Sequence, residues 1–368
     1  MAIATGEDVG FRSAPELDEA WRTWPRGDRP ARLREAAGEY RRRFTEGGQV
    51  HAVRTIDLVS AAYPVAYAFH GAARAVNPYL NILNRLVVIQ YDDAEGARRT
   101  LVWEPTIPEG SAEAPFYAQL IARFGEKVAN RFAKVEYNTL GSALASIGLR
   151  PEDVDYLSFD HLHVQDVRML VGGTDHEPIF PGARLISQRR EFDTFRSIHP
   201  TQWAWYVPGA MDGVDADRLI EVDGTVELGT GLTFLATPGH TDGNQSLCVN
   251  TPEGIWVSSE NGVAADSWHP HLSKIPGVRR WAEFYGREVV MNANTLEDSV
   301  DQYDAMVLEK ALADVNRRDP RWHNTFPSSE LAPLRRQWPV LPTFVYGGIN
   351  YGRIEAPTRS RSAASNGA

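Results

Sequence analysis

The chain has 368 residues, 43% hydrophobic and 23% charged, which excludes wholesale disorder and suits one large enzyme domain with extensions, or two domains. The 38 Lys and Arg against 48 Asp and Glu give a formal net charge of −10, which argues against a general nucleic-acid binder. Cys248 is the only cysteine, so a disulfide framework or a cysteine-rich zinc site is excluded, and any metal must be held by His, Asp, Glu or neutral oxygens.

No run reaches the roughly 20 apolar residues of a membrane helix, and the N-terminus lacks a basic start followed by an apolar stretch. The expectation is a cytoplasmic protein with no membrane or nucleic-acid partner. Residues 1–50 are polar and rich in Arg and Glu. Pro25, Gly27 and Pro30 precede a predicted helix over 31–44. This segment reads as an appended N-terminal arm that covers the core or docks on another subunit of a homo- or hetero-oligomer.

The apolar run 86–91, the turn at 92–96 and the run 99–103 predict a hairpin. Phe116, Leu120, Ile121, Phe124, Val128 and Phe132 recur at helical spacing and predict a helix over 115–135. A shorter helix over 140–147 follows, with Gly148 as its C-cap. Residues 151–159 read as a turn entering a buried strand. Further strands are predicted at 183–187, 219–222, 232–236, 246–249 and 255–258, and a helix over 297–316. Strands that first alternate with helices and then run in series imply layered sheets packed face to face. The division expected is an arm over 1–50, a catalytic domain over 51–330 and a C-terminal extension over 331–368, whose Ser/Ala/Arg-rich tail 358–368 is expected to be disordered.

The chemistry-bearing feature is His161-Leu-His163 at the end of an apolar strand. Alternate residues of a strand point the same way, so two imidazoles can converge on one ion. Asp166 follows in the same loop. His240 lies in Thr237-Pro-Gly-His-Thr-Asp-Gly243 after a strand, and Glu260 follows the next strand pair. Each candidate ligand thus ends a strand, where a rigid sheet edge can hold it in place.

Gly148-Leu-Arg-Pro-Glu-Asp-Val-Asp-Tyr156 leading into Ser158-Phe-Asp-His-Leu-His163, together with Thr237-Pro-Gly-His-Thr-Asp-Gly-Asn-Gln-Ser-Leu247, resembles the metallo-β-lactamase superfamily, especially its lactonase and glyoxalase-II-like hydrolases. The resemblance covers about residues 50–325. It implies an αββα metallo-β-lactamase-like sandwich, here with an N-terminal helical extension, and one or two metal ions at the sheet edge. His161, His163 and His240 match the three histidines of the first site. The second site departs from the family pattern His-x-His-x-Asp-His, because Gln165 stands at the Asp position and Asp166 at the following His position. Glu260 is the nearest match to the bridging Asp. His323 resembles the late histidine, with His269 and His271 competing for that role.

The reading is a metal-dependent hydrolase, with zinc expected and iron or manganese as alternatives. Metal-bound hydroxide would attack an ester, a lactone or an activated aromatic ether. Asp166, Glu260 and His323 would hold a second ion, and Asp166 or Glu260 would orient the nucleophile or take its proton. A di-iron oxygenase and a non-catalytic partner subunit are the rivals. Trp203, Trp205 and Tyr206 would wall a hydrophobic or aromatic small-molecule substrate, or else fill core or a subunit contact. Arg189, Arg190 and Arg196 read as a solvated face or an anion site, Cys248 as a small buried hydrophobe, and His51, His70, His176 and His199 as ordinary histidines.

Overall fold

A computed structural model describes residues 2–125, 134–293 and 299–357. The first elements are β1 (Ala4–Thr5), β2 (Arg12–Ser13), α1 (Pro15–Trp21) and α2 (Arg29–Glu46). The hairpin region holds β3 (Ala52–Pro64), β4 (Tyr79–Asp92) and β5 (Arg98–Trp103). Next come α3 (Pro115–Phe124), β6 (Lys134–Glu136), α4 (Leu140–Ser146), β7 (Tyr156–Ser158), α5 (Val167–Val171), β8 (Arg184–Gln188) and α6 (Arg189–Arg196). Then follow β9 (Leu219–Val222), β10 (Val226–Gly229), β11 (Leu232–Ala236), β12 (Gln245–Thr251) and β13 (Gly254–Ser259). The last are α7 (Val278–Tyr285), α8 (Ser299–Leu312), β14 (Thr325–Pro327), β15 (Ser329–Leu331) and β16 (Asn350–Tyr351).

Strand β4 shows why the sequence reads as continuous apolar runs. Val87 and Ile89 enter the core between the sheets with Trp103 and Phe234, while Leu86 and Val88 face the opposite way into a core with Leu140 and Leu157. Both faces are covered, so neither side of the strand is polar. The second sheet repeats this: Leu247, Val249 and Trp256 point inward, and Cys248, Ile255 and Val257 point outward against Leu33, Tyr40 and Leu308. The result is an αββα sandwich. Its larger sheet runs β1-β9-β8-β7-β5-β4-β3-β16, with β15 on β4 and β6 on β3, and its smaller sheet runs β14-β13-β12-β11-β10-β2.

Residues 1–50 are woven into both sheets. Strand β1 pairs with β9 and β2 with β10. Helices α1 and α2 cover the outer face of the smaller sheet beside α8, where buried Arg29 lies 2.6 Å from Asp301 and 2.9 Å from Asp304. The C-terminal segment also joins the larger sheet, and β15 spans the 330/331 division, so the three segments share their cores.

The helix predicted over 115–135 is shorter. Gly125, at φ 78°, closes α3 with its N–H on the Ile121 carbonyl. Lys134 and Val135 belong to strand β6, paired with Ala61 and Ser60, while Val128 and Phe132 lie outside the described residues. Helix 297–316 is likewise shorter: α8 ends at Leu312, and beyond it the Asp314 N–H bonds the Ile255 carbonyl of β13; 297–298 lie outside the described residues, as does the tail 358–368. Among the described residues no helix is long and apolar enough to cross a membrane.

Candidate metal centre

Adjacent parallel strands β5, β7 and β8 end at the same edge of the larger sheet. Their C-terminal ends deliver Glu104, then Asp160, His161 and His163, then Glu191. From the smaller sheet, β11 delivers His240, β13 delivers Glu260 and β14 delivers Ser328. A ligand site at the carboxyl ends of strands is the general expectation for parallel sheets.

The three imidazoles meet there. Ring centroids are 4.5 Å apart for His161–His163, 4.5 Å for His161–His240 and 5.4 Å for His163–His240. One ligand atom from each lies within 4.8 Å of the others, and all three rings are buried. This donor set fits a divalent metal: neutral imidazole nitrogens suit zinc, iron or manganese.

Each ring is fixed by a different partner. His161 Nδ1 lies 2.7 Å from Asp160 Oδ1. His163 Nε2 meets Gln202 Oε1, and Gln202 Nε2 donates to the His240 carbonyl at 3.3 Å. His240 Nδ1 faces the Asn292 carbonyl at 3.2 Å, which makes Nε2 the nitrogen that offers its lone pair. Burial holds His240 down at about 3, with the charge on His161 adding to the shift, and the same two causes, with His240, hold His163 well below its usual value. His161 is different. Burial lowers it, but the Asp160 carboxylate outweighs burial and lifts it to about 9.

Asp160 was missed in the sequence although it directly precedes His161. It is buried, and its two oxygens receive the His161 N–H at 2.8 Å, the Glu260 N–H at 2.7 Å and the Ser328 hydroxyl at 2.8 Å. Glu104 was also missed. It ends an apolar strand, as Glu260 does, and its Oε1 accepts the Asp160 N–H at 2.8 Å. Burial, and then the Asp160 charge, push Glu104 well up. Glu191 is the third omission. It is buried and accepts from the Leu162 N–H (2.9 Å), the Tyr206 hydroxyl (2.6 Å) and the Thr241 hydroxyl (2.7 Å), tying the two histidine loops together.

The loops pack closely to do this. A Cβ on Gly239 would sit 2.1 Å from the Gln302 nitrogen, and one on Gly243 would sit 2.2 Å from the Glu191 nitrogen. Val164, a β-branched residue between His163 and Gln165, is held at φ 57° with its N–H on the Trp205 carbonyl at 2.7 Å. Left-handed backbone at such a residue costs roughly 1–2 kcal/mol and is retained where surrounding contacts fix it.

Glu260 faces the same cleft, with Oε2 3.8 Å from His161 Nε2. Burial raises it to about 7 against the opposing pull of His161. The remaining sequence candidates are not brought to the cluster. Asp166 caps α5 and is gripped by Arg168, with Nε 2.9 Å from Oδ1 and Nη2 2.7 Å from Oδ2, so its charge is already answered. His323 stacks on His269, centroids 4.9 Å apart at 14°, and forms no three-ligand group with the cluster. The assignments of Asp166 and His323 as metal ligands are corrected accordingly. Gln165 lines the cleft and donates to the Thr106 hydroxyl at 3.1 Å.

Away from the histidines and the carboxylates one wall of the cleft is apolar, formed by Val59, Ala61, Ile82, Leu120 and Ile121, with Trp205 at its side. Of the aromatic trio, Trp205 lines the cleft, Tyr206 supports Glu191, and Trp203 is 54% exposed. Arg189 pairs with Asp223, Arg190 with Asp242 and Arg196 with Asp193, all on an exposed face. Cys248 is buried in the layer under α2.

No protein-family model matches this chain. Among curated proteins, N-acyl homoserine lactonase AttM of Azorhizobium caulinodans is 29% identical over 144 residues, 36% of this chain and 49% of that protein. An N-acyl homoserine lactonase of Bacillus sp. is 28% identical over 116 residues, 32% of this chain and 41% of that protein. The matches thus span less than half the length of these relatives. Among solved structures, the dizinc quorum-quenching lactonase AidC, in complex with a product, has a TM-score of 0.48 at 13% identity over 82% of this chain and 94% of that one. A probable metal-dependent hydrolase from Staphylococcus aureus has a TM-score of 0.44 at 18% identity over 57% and 73%. The proteins matched are named as lactonases and a metal-dependent hydrolase, and the topology of this chain is an αββα sandwich.

Proposed function

We propose that this protein is a metal-dependent hydrolase that opens lactones or related esters carrying an apolar substituent, with zinc as the metal. The observation that supports this most directly is the convergence of three buried imidazoles, from loops of both sheets, at the mouth of an apolar cleft. The names of the curated relatives point to the same substrate class.

His161, His163 and His240 would hold the ion. A bound dication lowers the pKa of water and polarises the carbonyl under attack. The chain's own residues do the rest. Asp160 keeps His161 aimed at the cluster, and the Asn292 carbonyl does the same for His240. Glu191 fixes the relative position of the two histidine loops. Glu260 is the carboxylate beside the cluster, placed to accept the proton of the attacking water and return it to the leaving alkoxide. The walls formed by Ile82, Leu120 and Ile121 take the apolar part of the substrate and exclude bulk water.

The test is acid release from a panel of homoserine lactones and simple aryl esters, run with and without oxygen. The expected result is turnover that is indifferent to oxygen, is lost on chelation and returns with zinc. Turnover that requires oxygen, or none from a protein that holds its metal, would defeat this reading.

A further inference from the structure

The second half of a paired-ion site is closed in this chain. Two ions in such a site sit roughly 3.5–4 Å apart, and each needs about four ligands, of which a bridging group is shared and the rest are its own. The residues at the second-ion positions are committed elsewhere. Asp166 has an oxygen on each of two Arg168 nitrogens, at 2.9 Å and 2.7 Å, so its charge is matched by a guanidinium, and it joins no ligand group with the histidines. Gln165 offers only a neutral carbonyl oxygen, and its amide is engaged with Thr106. His323 is stacked on His269.

Asp160 is the remaining alternative, since it, His161 and Glu260 bring ligand atoms within 4.8 Å of one another. A carboxylate has about four acceptor positions. Asp160 accepts three hydrogen bonds, on Oδ1 from the His161 N–H at 2.8 Å and on Oδ2 from the Glu260 N–H at 2.7 Å and the Ser328 hydroxyl at 2.8 Å, and Oδ1 also lies 2.7 Å from His161 Nδ1. A cation on Asp160 would have to displace one of these in a buried site. Glu104, the further carboxylate of the cleft, holds the Asp160 N–H on Oε1 and belongs to no three-donor group, and among the described residues the group Asp160–His161–Glu260 shares His161 with the first site, so no second independent donor set forms.

Building on the reading above, we infer that the centre is mononuclear: one dication per chain on His161, His163 and His240, with Glu260 facing it. The experiment is metal stoichiometry of the full chain after loading with excess zinc and desalting, repeated with cobalt, whose absorption reports the ion's coordination. One ion per chain is expected, with a single tight phase in a chelator competition. Two ions per chain overturn the inference and leave the hydrolase reading standing; no ion overturns both. His323→Ala and Asp166→Asn are expected to keep one ion with an unchanged cobalt spectrum. A drop below one ion in either folded variant makes that residue a ligand and overturns the inference. If Asp166→Asn does not fold, His323→Ala and the wild-type stoichiometry decide.

Discussion

Among the described residues histidines meet in two places, and the two places behave in opposite ways. At the cleft the rings of His161, His163 and His240 are inclined to one another by 89°, 62° and 57°. Imidazole lone pairs lie in the ring plane, so mutually inclined rings can aim them at a common point. His269 and His323 lie nearly parallel, at 14°, with His269 Nε2 taking the His323 backbone N–H at 3.1 Å. Stacked rings do not aim their in-plane lone pairs at a common point, and His269 packs edge-on against Trp322. Burial alone therefore does not distinguish the two places; the inclination of the rings and an oxygen acceptor behind each ring do.

The largest effect expected on this contrast is from His240→Ala. Removing one of three ligands should abolish stable metal binding and lower hydrolysis more than the ~100-fold upper end of outer-sphere effects. Metal analysis with the lactone assay checks it, and metal retained at the wild-type level would break the distinction. Asp160→Asn comes next. The neutral amide cannot accept on both atoms or match the charge facing His161, and metal affinity should fall by roughly 10–100-fold, read by chelator competition. Affinity unchanged within twofold would show that His161 needs no support.

The smallest effect concerns the stacked pair and is read in stability alone. Burial holds His269 down at about 2, with Lys310 and His323 adding to the shift, and His323 is lowered for the same first reason. Both are neutral when folded and protonate when unfolded below about pH 6.5, so the unfolded chain binds more protons there. Stability is then complete above pH 6.5 and is lost as pH falls through that value, by about 1.4 kcal/mol per pH unit for His269. Chemical denaturation at pH 7, 6 and 5 should show a flatter fall in His269→Phe, with metal content unchanged. An equal slope in the variant would remove the pair from the acid sensitivity.

Much of the fold was legible. The hairpin of β4 and β5, the helix now α2 and the late strand series all showed as apolar runs bounded by turn residues. The runs read as unbroken because both faces of each central strand are covered. The prediction of one helix over 115–135 breaks at Gly125 and again at 134–135, where the chain pairs with β3, because helical spacing cannot register a sheet edge. In the site, His161, His163 and His240 were legible because they sit in short, distinctive loops. Asp166 and His323 looked equally good in sequence, yet one was claimed by Arg168 two residues away and the other by His269. Glu191 carried no motif, since its meaning lies in donors from residues 162, 206 and 241.

The sequence by itself determined the layering, the strand ends that carry histidines and the restriction to nitrogen and oxygen ligands. Those follow from local apolar pattern and composition, which each short segment states on its own. Tertiary structure alone decided which carboxylates answer which cations. Hydrogen bonds and ion pairs form between groups far apart in the chain, and a carboxylate with its acceptor positions taken has no lone pair left for a metal. Asp160, accepting three hydrogen bonds at the meeting of both sheets, and Asp166, held by its own helix's arginine, differ for that reason.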